Sequence, residues 1–189
     1  NRYKQGVFLV ELGYNYQLQK EESKAKKYYE EAVEKIKTNP NDVYGVANSF
    51  EKKVLLEYAL KSYQTAMQVQ PNYNFNFQIG MLYGQLGKTD LMIDLLLTES
   101  FNNPQNTNLI QTQLSRFMNG ETDNTTFKDA MRKALILKTQ KDQDVFWNHY
   151  LSWFYVQQKE FGKAFIQEKA IYKREPESLI SIVNLSQFA

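Results

Sequence analysis

The chain has 189 residues, a formal net charge of +2 with acids and bases interspersed, no cysteine, and an aromatic fraction of 14%. That length supports one large domain or a run of stacked units around a continuous core. The composition excludes disulfide and thiol chemistry and gives no electrostatic footprint for nucleic acid or an anionic membrane. No stretch approaches the roughly 18 consecutive apolar residues of a membrane span.

Residues 1–20 read as a helix, with Leu9, Leu12, Gly13 and Tyr16 at helical spacing. After the polar break Lys20-Glu21-Glu22-Ser23, the residues Ala25, Tyr29 and Ala32 repeat that spacing over 22–38. The break allows only a tight turn, so the two helices are an antiparallel pair. Gly13, Ala25 and Ala32 permit close approach, and Leu12, Tyr16 and Tyr29 fill the space alongside. Glu30, Glu31, Glu34 and Lys35 are expected in water. Pro40-Asn41-Asp42 is a turn-and-cap signature leading into a helix at 42–52 with Gly45 and Ala47 on its small face. A partner helix at 55–69 turns Ala59, Tyr63 and Ala66 inward and Lys61, Gln64 and Gln68 outward.

A third pair opens with Phe75, Phe77, Ile79, Gly80 and Tyr83 and turns at Gly87-Lys88, where glycine suits a helix C-terminus. Its second helix carries Leu91, Met92, Ile93, Leu95, Leu96 and Leu97. It is apolar nearly all round, so cover on both sides is expected. Residues 105–143 are the least regular: Leu109, Ile110, Leu114 and Phe117 give one helix, Asn119 to Asn124 a break, and 126–139 a second helix with Phe127, Met131 and Leu137. Regular spacing returns over 144–176 with Trp147, Leu151, Tyr155, Phe161, Ala164 and Ile171. Residues 177–189 read as a first helix without its partner. A start at Asn1 and an apolar helical pattern running to Ala189 read as a fragment of a longer protein.

The pairs recur at one period. A shift of 34 residues carries Leu12-Gly13-Tyr16 onto Val46-Ala47-Phe50 and Ala25-Tyr29-Ala32 onto Ala59-Tyr63-Ala66; a further 33 gives Ile79-Gly80-Tyr83. Pro71, Pro104 and Pro176 close their units, while Pro40 falls about three residues late, which lengthens the helix before it by nearly one turn. This spacing resembles the tetratricopeptide repeat. The resemblance implies an all-α fold: an α-solenoid, a right-handed superhelix of about five antiparallel helix pairs plus a terminal helix. It implies one repeat domain over 1–189, with units at 5–40, 41–72, 73–104, 105–143 (degenerate), 144–176 and 177–189 (truncated).

The residues offer no catalytic constellation. His149 is the only histidine and has no partner ligands in sequence, so no metal site is expected. Gly80, Gly84 and Gly87 are spaced for packing, not for phosphate. Glu21-Glu22 and Glu30-Glu31 read as solubilising charge. Asn124-Thr125-Thr126 matches the glycan-acceptor pattern, but its plainer reading is a polar turn. No cofactor is expected, no nucleic acid, and no membrane insertion by this stretch.

In the family that the chain resembles, the first helix of each pair lines a concave groove for a peptide or partner helix. Matched by spacing, the groove would show Val10, Tyr14 and Gln17, then Tyr44, Asn48 and Glu51, then Phe77, Met81, Gly84 and Gln85, and finally His149, Trp153 and Val156. The alternative is that several of these pack against neighbouring helices. Family members that clamp a partner's terminal carboxylate carry Lys and Asn where this chain has Val10 and Tyr14, and only Asn48 matches that chemistry, so a clamp is not expected. Residues 155–165 also resemble multi-repeat bacterial proteins exported to the cell envelope, so a periplasmic location is expected, with a cytoplasmic one as the alternative. Function is expected to be that of a non-enzymatic protein–protein interaction scaffold. Glycan or small-molecule binding in an aromatic groove, and support of a catalytic domain elsewhere in the parent chain, are the alternatives.

Overall fold

The computed structural model describes residues 5–120, 124–176 and 183. Among them there are ten α-helices and no strand: α1 (Gln5–Leu18), α2 (Glu22–Thr38), α3 (Val43–Lys52), α4 (Leu56–Val69), α5 (Asn76–Gln85), α6 (Thr89–Asn102), α7 (Thr107–Met118), α8 (Thr125–Lys141), α9 (Val145–Gln157) and α10 (Phe161–Arg174). The molecule is all-α, and consecutive helices fold back on each other as hairpins. Its contacts divide it into two compact units, Asn1–Leu96 and Leu97–Ala189, with the division inside α6. The helix read over 177–189 lies outside the described residues. Helix α2 runs 17 residues against 14 for α4, as the late Pro40 requires.

In the first unit, the α1–α2 hairpin stacks on the α3–α4 hairpin. The small residues sit where the helices close. A Cβ added to Gly13 would lie 2.6 Å from Cε1 of Tyr29, and one added to Gly80 would lie 2.6 Å from Cδ2 of Leu96. Ala47, in the same register, is wholly buried. Between hairpins, a Cβ on Gly6 would meet Cγ2 of Val46 at 2.6 Å, so α1 and α3 also touch closely. Val43, Val46 and Phe50 are buried beneath this contact. Their register equivalents in the first hairpin are not: Leu9 is half-buried and Leu12 is 39% exposed, although Leu12 reads in sequence as filling the helix pair. The layer that covers Val46 has no counterpart over Leu12 among the described residues.

In the second unit, buried Glu99 accepts hydrogen bonds from Nδ2 of Asn103 (3.1 Å) and of Asn106 (2.9 Å), and Thr107 Oγ1 donates to the Ser100 carbonyl (3.2 Å). These bonds hold the turn into α7. A ring cluster of Phe101, Phe146, Trp147, Tyr150 and Trp153 follows, with centroids 5.0–5.6 Å apart. Asp144 caps α9 by accepting from the Phe146 N–H (2.8 Å). Asn124, the residue before α8, donates its amide to the Phe117 carbonyl near the end of α7, and Thr125 and Thr126 belong to the first turn of α8 and not to a polar turn. The expectation of cover all round α6 holds for Met92, Ile93, Leu96 and Leu97 but not for Leu91, which is exposed. An apolar side chain needs no cover when most folded surfaces are themselves largely apolar.

Four hairpin turns share one backbone solution. Two residues past the ends of helices α1, α3, α5 and α9 stands a residue at positive φ: Lys20 (63°), Val54 (58°), Gly87 (71°) and Lys159 (59°). The next N–H reaches back five residues, from Glu21 to Tyr16, Leu55 to Phe50, Lys88 to Tyr83 and Glu160 to Tyr155, at 2.8–2.9 Å. This double-bonded helix end normally takes glycine, and only Gly87 supplies it. A β-branched residue in the left-handed region is strained by about 1–2 kcal/mol. Val54 is three-quarters exposed, so it gives up little packing if replaced. Val54→Gly is therefore expected to raise stability by about 0.5–1 kcal/mol in urea melts, the relief of strain exceeding glycine's added freedom in the unfolded chain. Gly13→Ala is expected to cost about 1–3 kcal/mol, because the Tyr29 ring is pinned. Gly80→Ala should cost less, since the tips of Leu96 can shift. Equal losses in the two variants would refute that ordering.

Candidate functional site

The residues matched to a groove lie on α1, α3, α5 and α9. Tyr44, Asn48, Gln85 and His149 are exposed, whereas Tyr14, Gln17, Phe77, Met81 and Trp153 are half-buried. Val10 is the exception. It is wholly buried and belongs to the core. The close approach of α1 and α3 explains this, since Gly6 fits against Val46 and a Cβ on Gly45 would stand only 3.3 Å from Val7.

On α9 the pattern is sharpest. From Trp147 to Tyr155 every side chain is buried except His149 and Trp153, which are one helical turn apart. From Val43 to Phe50 on α3 the open residues are Tyr44, Gly45 and Asn48. Tyr44 and Asn48 occupy the register of His149 and Trp153. Each unit thus leaves one stripe of its first-position helices open, built of aromatic, amide and imidazole groups.

Second-helix residues hold that stripe in place. Tyr29 donates its hydroxyl to Oε1 of Gln17 (2.6 Å), and Tyr63, one period on, donates to Oε1 of Glu51 (3.3 Å). Burial foremost, with the nearby Glu22 carboxylate adding, pushes the Tyr29 phenol up to about 12; burial likewise raises Tyr58 and Tyr63. Lys53 was not legible as part of the site. Its ammonium lies 4.9 Å over the ring of Tyr14 and pairs with Glu11 (2.7 Å), which also accepts from Ser49 Oγ (3.0 Å). The hydrogen bond from Lys53, more than any other contact, lowers the Glu11 carboxyl below its ordinary value. Lys53 follows the last residue of α3, where helical periodicity carries no information about partners.

A second feature sits beside Tyr44. A cavity of about 270 Å³ is lined by Asn41, Val43, Tyr44, Asn72, Tyr73, Asn74 and Phe75. The run Asn72-Tyr73-Asn74-Phe75 follows Pro71 as a connection, and the only sequence signal for a site there was its density of amides and rings. On the α1–α2 hairpin an apolar hollow of about 340 Å³ is bordered by Phe8, Leu9, Leu12, Glu31 and Lys35. Among the described residues no three His, Asp or Glu side chains gather as metal ligands, and no helix is long and apolar enough to cross a membrane.

No protein-family model matches the chain, and no curated protein matches it. Among solved structures it is similar to a tetratricopeptide repeat protein from Parabacteroides merdae, with a TM-score of 0.42 and 13% identity, over 98% of this chain and 73% of that one. The assignment to stacked helix hairpins rests on the packing described above.

The Tyr29 phenol sets an alkaline limit. Its folded value of about 12 exceeds the ordinary 10, so the stability it contributes is fully present below pH 10 and is lost as pH rises toward 12. Tyr29→Phe is expected to remove that residue's share of the alkaline loss, leaving the shares of Tyr58, Tyr63 and the deeply buried Tyr150, as read by thermal melts across pH 9–12.

Proposed function

We propose that this protein is a tetratricopeptide-type, non-enzymatic scaffold that holds segments of a partner protein against the open stripes that the first-position helices of each unit present. The observation that carries the reading is the isolation of His149 and Trp153 in the otherwise buried stretch from Trp147 to Tyr155, matched in register by Tyr44 and Asn48. A tryptophan left half-open on a packed helix offers large contact area at little conformational cost. Its ring is braced edge-on by Tyr150 at 5.3 Å, so it is ordered before any partner arrives. Tyr14 and Lys53 offer a comparable ordered surface on α1 and α3. Asn48, Gln85 and His149 supply hydrogen bonds that fix a partner's direction. The bacterial cell envelope is the location that the resemblance of residues 155–165 favours.

The experiment is capture of the native partner by immobilised protein and its Trp153→Ala and Tyr14→Ala variants. Both variants are expected to keep native helicity by circular dichroism. Each should weaken capture by roughly tenfold or more, the scale of a buried aromatic anchor of about 1.4–2 kcal/mol. Capture unchanged in both variants would show that the stripe is not the binding face.

A further inference from the structure

The geometry points to a second binding site, for a single neutral sugar ring, in the cavity between the start of α3 and the connection that leads into α5. Four observations lead there. The cavity holds about 270 Å³, just under the ~300–1,000 Å³ of sites for larger organic ligands, which is room for one ring and not for an extended segment. No charged side chain lines it, so the ligand that suits it is neutral. Its walls combine the rings of Tyr44, Tyr73 and Phe75 with the amides of Asn41, Asn72 and Asn74, beside the aliphatic Val43. That pairing answers the two sides of a sugar: C–H faces pack on rings, and hydroxyls, which both donate and accept, meet amides that do the same.

The walls are also fixed in advance. Tyr44 is 58% exposed, yet Phe75 at 5.2 Å and Tyr63 at 6.4 Å brace its ring edge-on, so one surface stays open without being loose. Tyr73 packs on Phe75 at 5.6 Å and donates its hydroxyl to Asn41 Oδ1, which points the use of the Asn41 amide toward donation. Asn74 Oδ1 accepts from the Asn76 N–H (3.0 Å) at the start of α5, and this holds the connection in its shape. Asn72 is exposed at the rim.

The site stands apart from the partner stripe in one usable respect: Asn72 belongs to the cavity and not to the stripe. D-glucose, D-galactose and N-acetyl-D-glucosamine would each be titrated into the full chain, with binding read by saturation-transfer NMR. At least one is expected to bind saturably. Asn72→Ala and Tyr44→Ala should each weaken that binding by roughly tenfold, with helicity unchanged, and Asn72→Ala should leave partner capture intact. Absence of saturation by all three sugars would overturn the assignment. So would saturation that neither variant alters, or displacement of the sugar by tri-alanine with the same sensitivity to both variants.

Discussion

Two helices come closest where one of them gives up its side chain. At Gly13 there is no room even for a methyl group, because the ring of Tyr29 fills the position where it would stand. Gly80 and Leu96 repeat the arrangement two units on, with an aliphatic side chain in place of the ring. The remainder of the architecture follows from that contact. Close helices bring the second-helix phenols of Tyr29 and Tyr63 through to Gln17 and Glu51 on the first helix, and these acceptors lie on the exposed stripe. Packing within a hairpin and the chemistry offered at its surface are therefore linked through single side chains.

The same contact constrains the turns. Once the helices are held close, the chain must reverse in few residues, and the double-bonded ending with one left-handed residue does so at Lys20, Val54, Gly87 and Lys159 alike. Glycine is the low-strain choice at such a position. Three of the four turns use other residues, so the stacking of the hairpins outweighs a local cost of about 1–2 kcal/mol at each. The 144–176 hairpin shows a further tolerance. In the register of Tyr29 it carries Glu168, buried, with Oε2 lacking a hydrogen-bond partner. A buried polar atom of that kind costs about 1–3 kcal/mol, which the hairpin tolerates.

The candidate surface was only partly legible. Spacing alone places His149, Trp153, Tyr44 and Asn48 in one register, and the structure leaves these four at least partly open. Spacing placed Val10 in that register as well, yet Val10 is buried, because α1 and α3 converge at Gly6 and Gly45. Lys53 over Tyr14 escaped notice because cation–ring contacts join residues far apart in the chain. The amide-lined cavity escaped it for a related reason: connections have no periodicity, and Asn41 meets Tyr73 only after two helices have folded between them.

The amino-acid order by itself determined the helices, their pairing and the positions of closest approach. These depend on side-chain size repeated every three or four residues and on where prolines and polar breaks fall, which are local properties of the chain. Which residues stay open was decided by tertiary structure. Exposure at Tyr44, loss of exposure at Val10 and the walls of the cavity beside α3 depend on how near a neighbouring hairpin comes, and that distance is set by contacts between residues tens of positions apart.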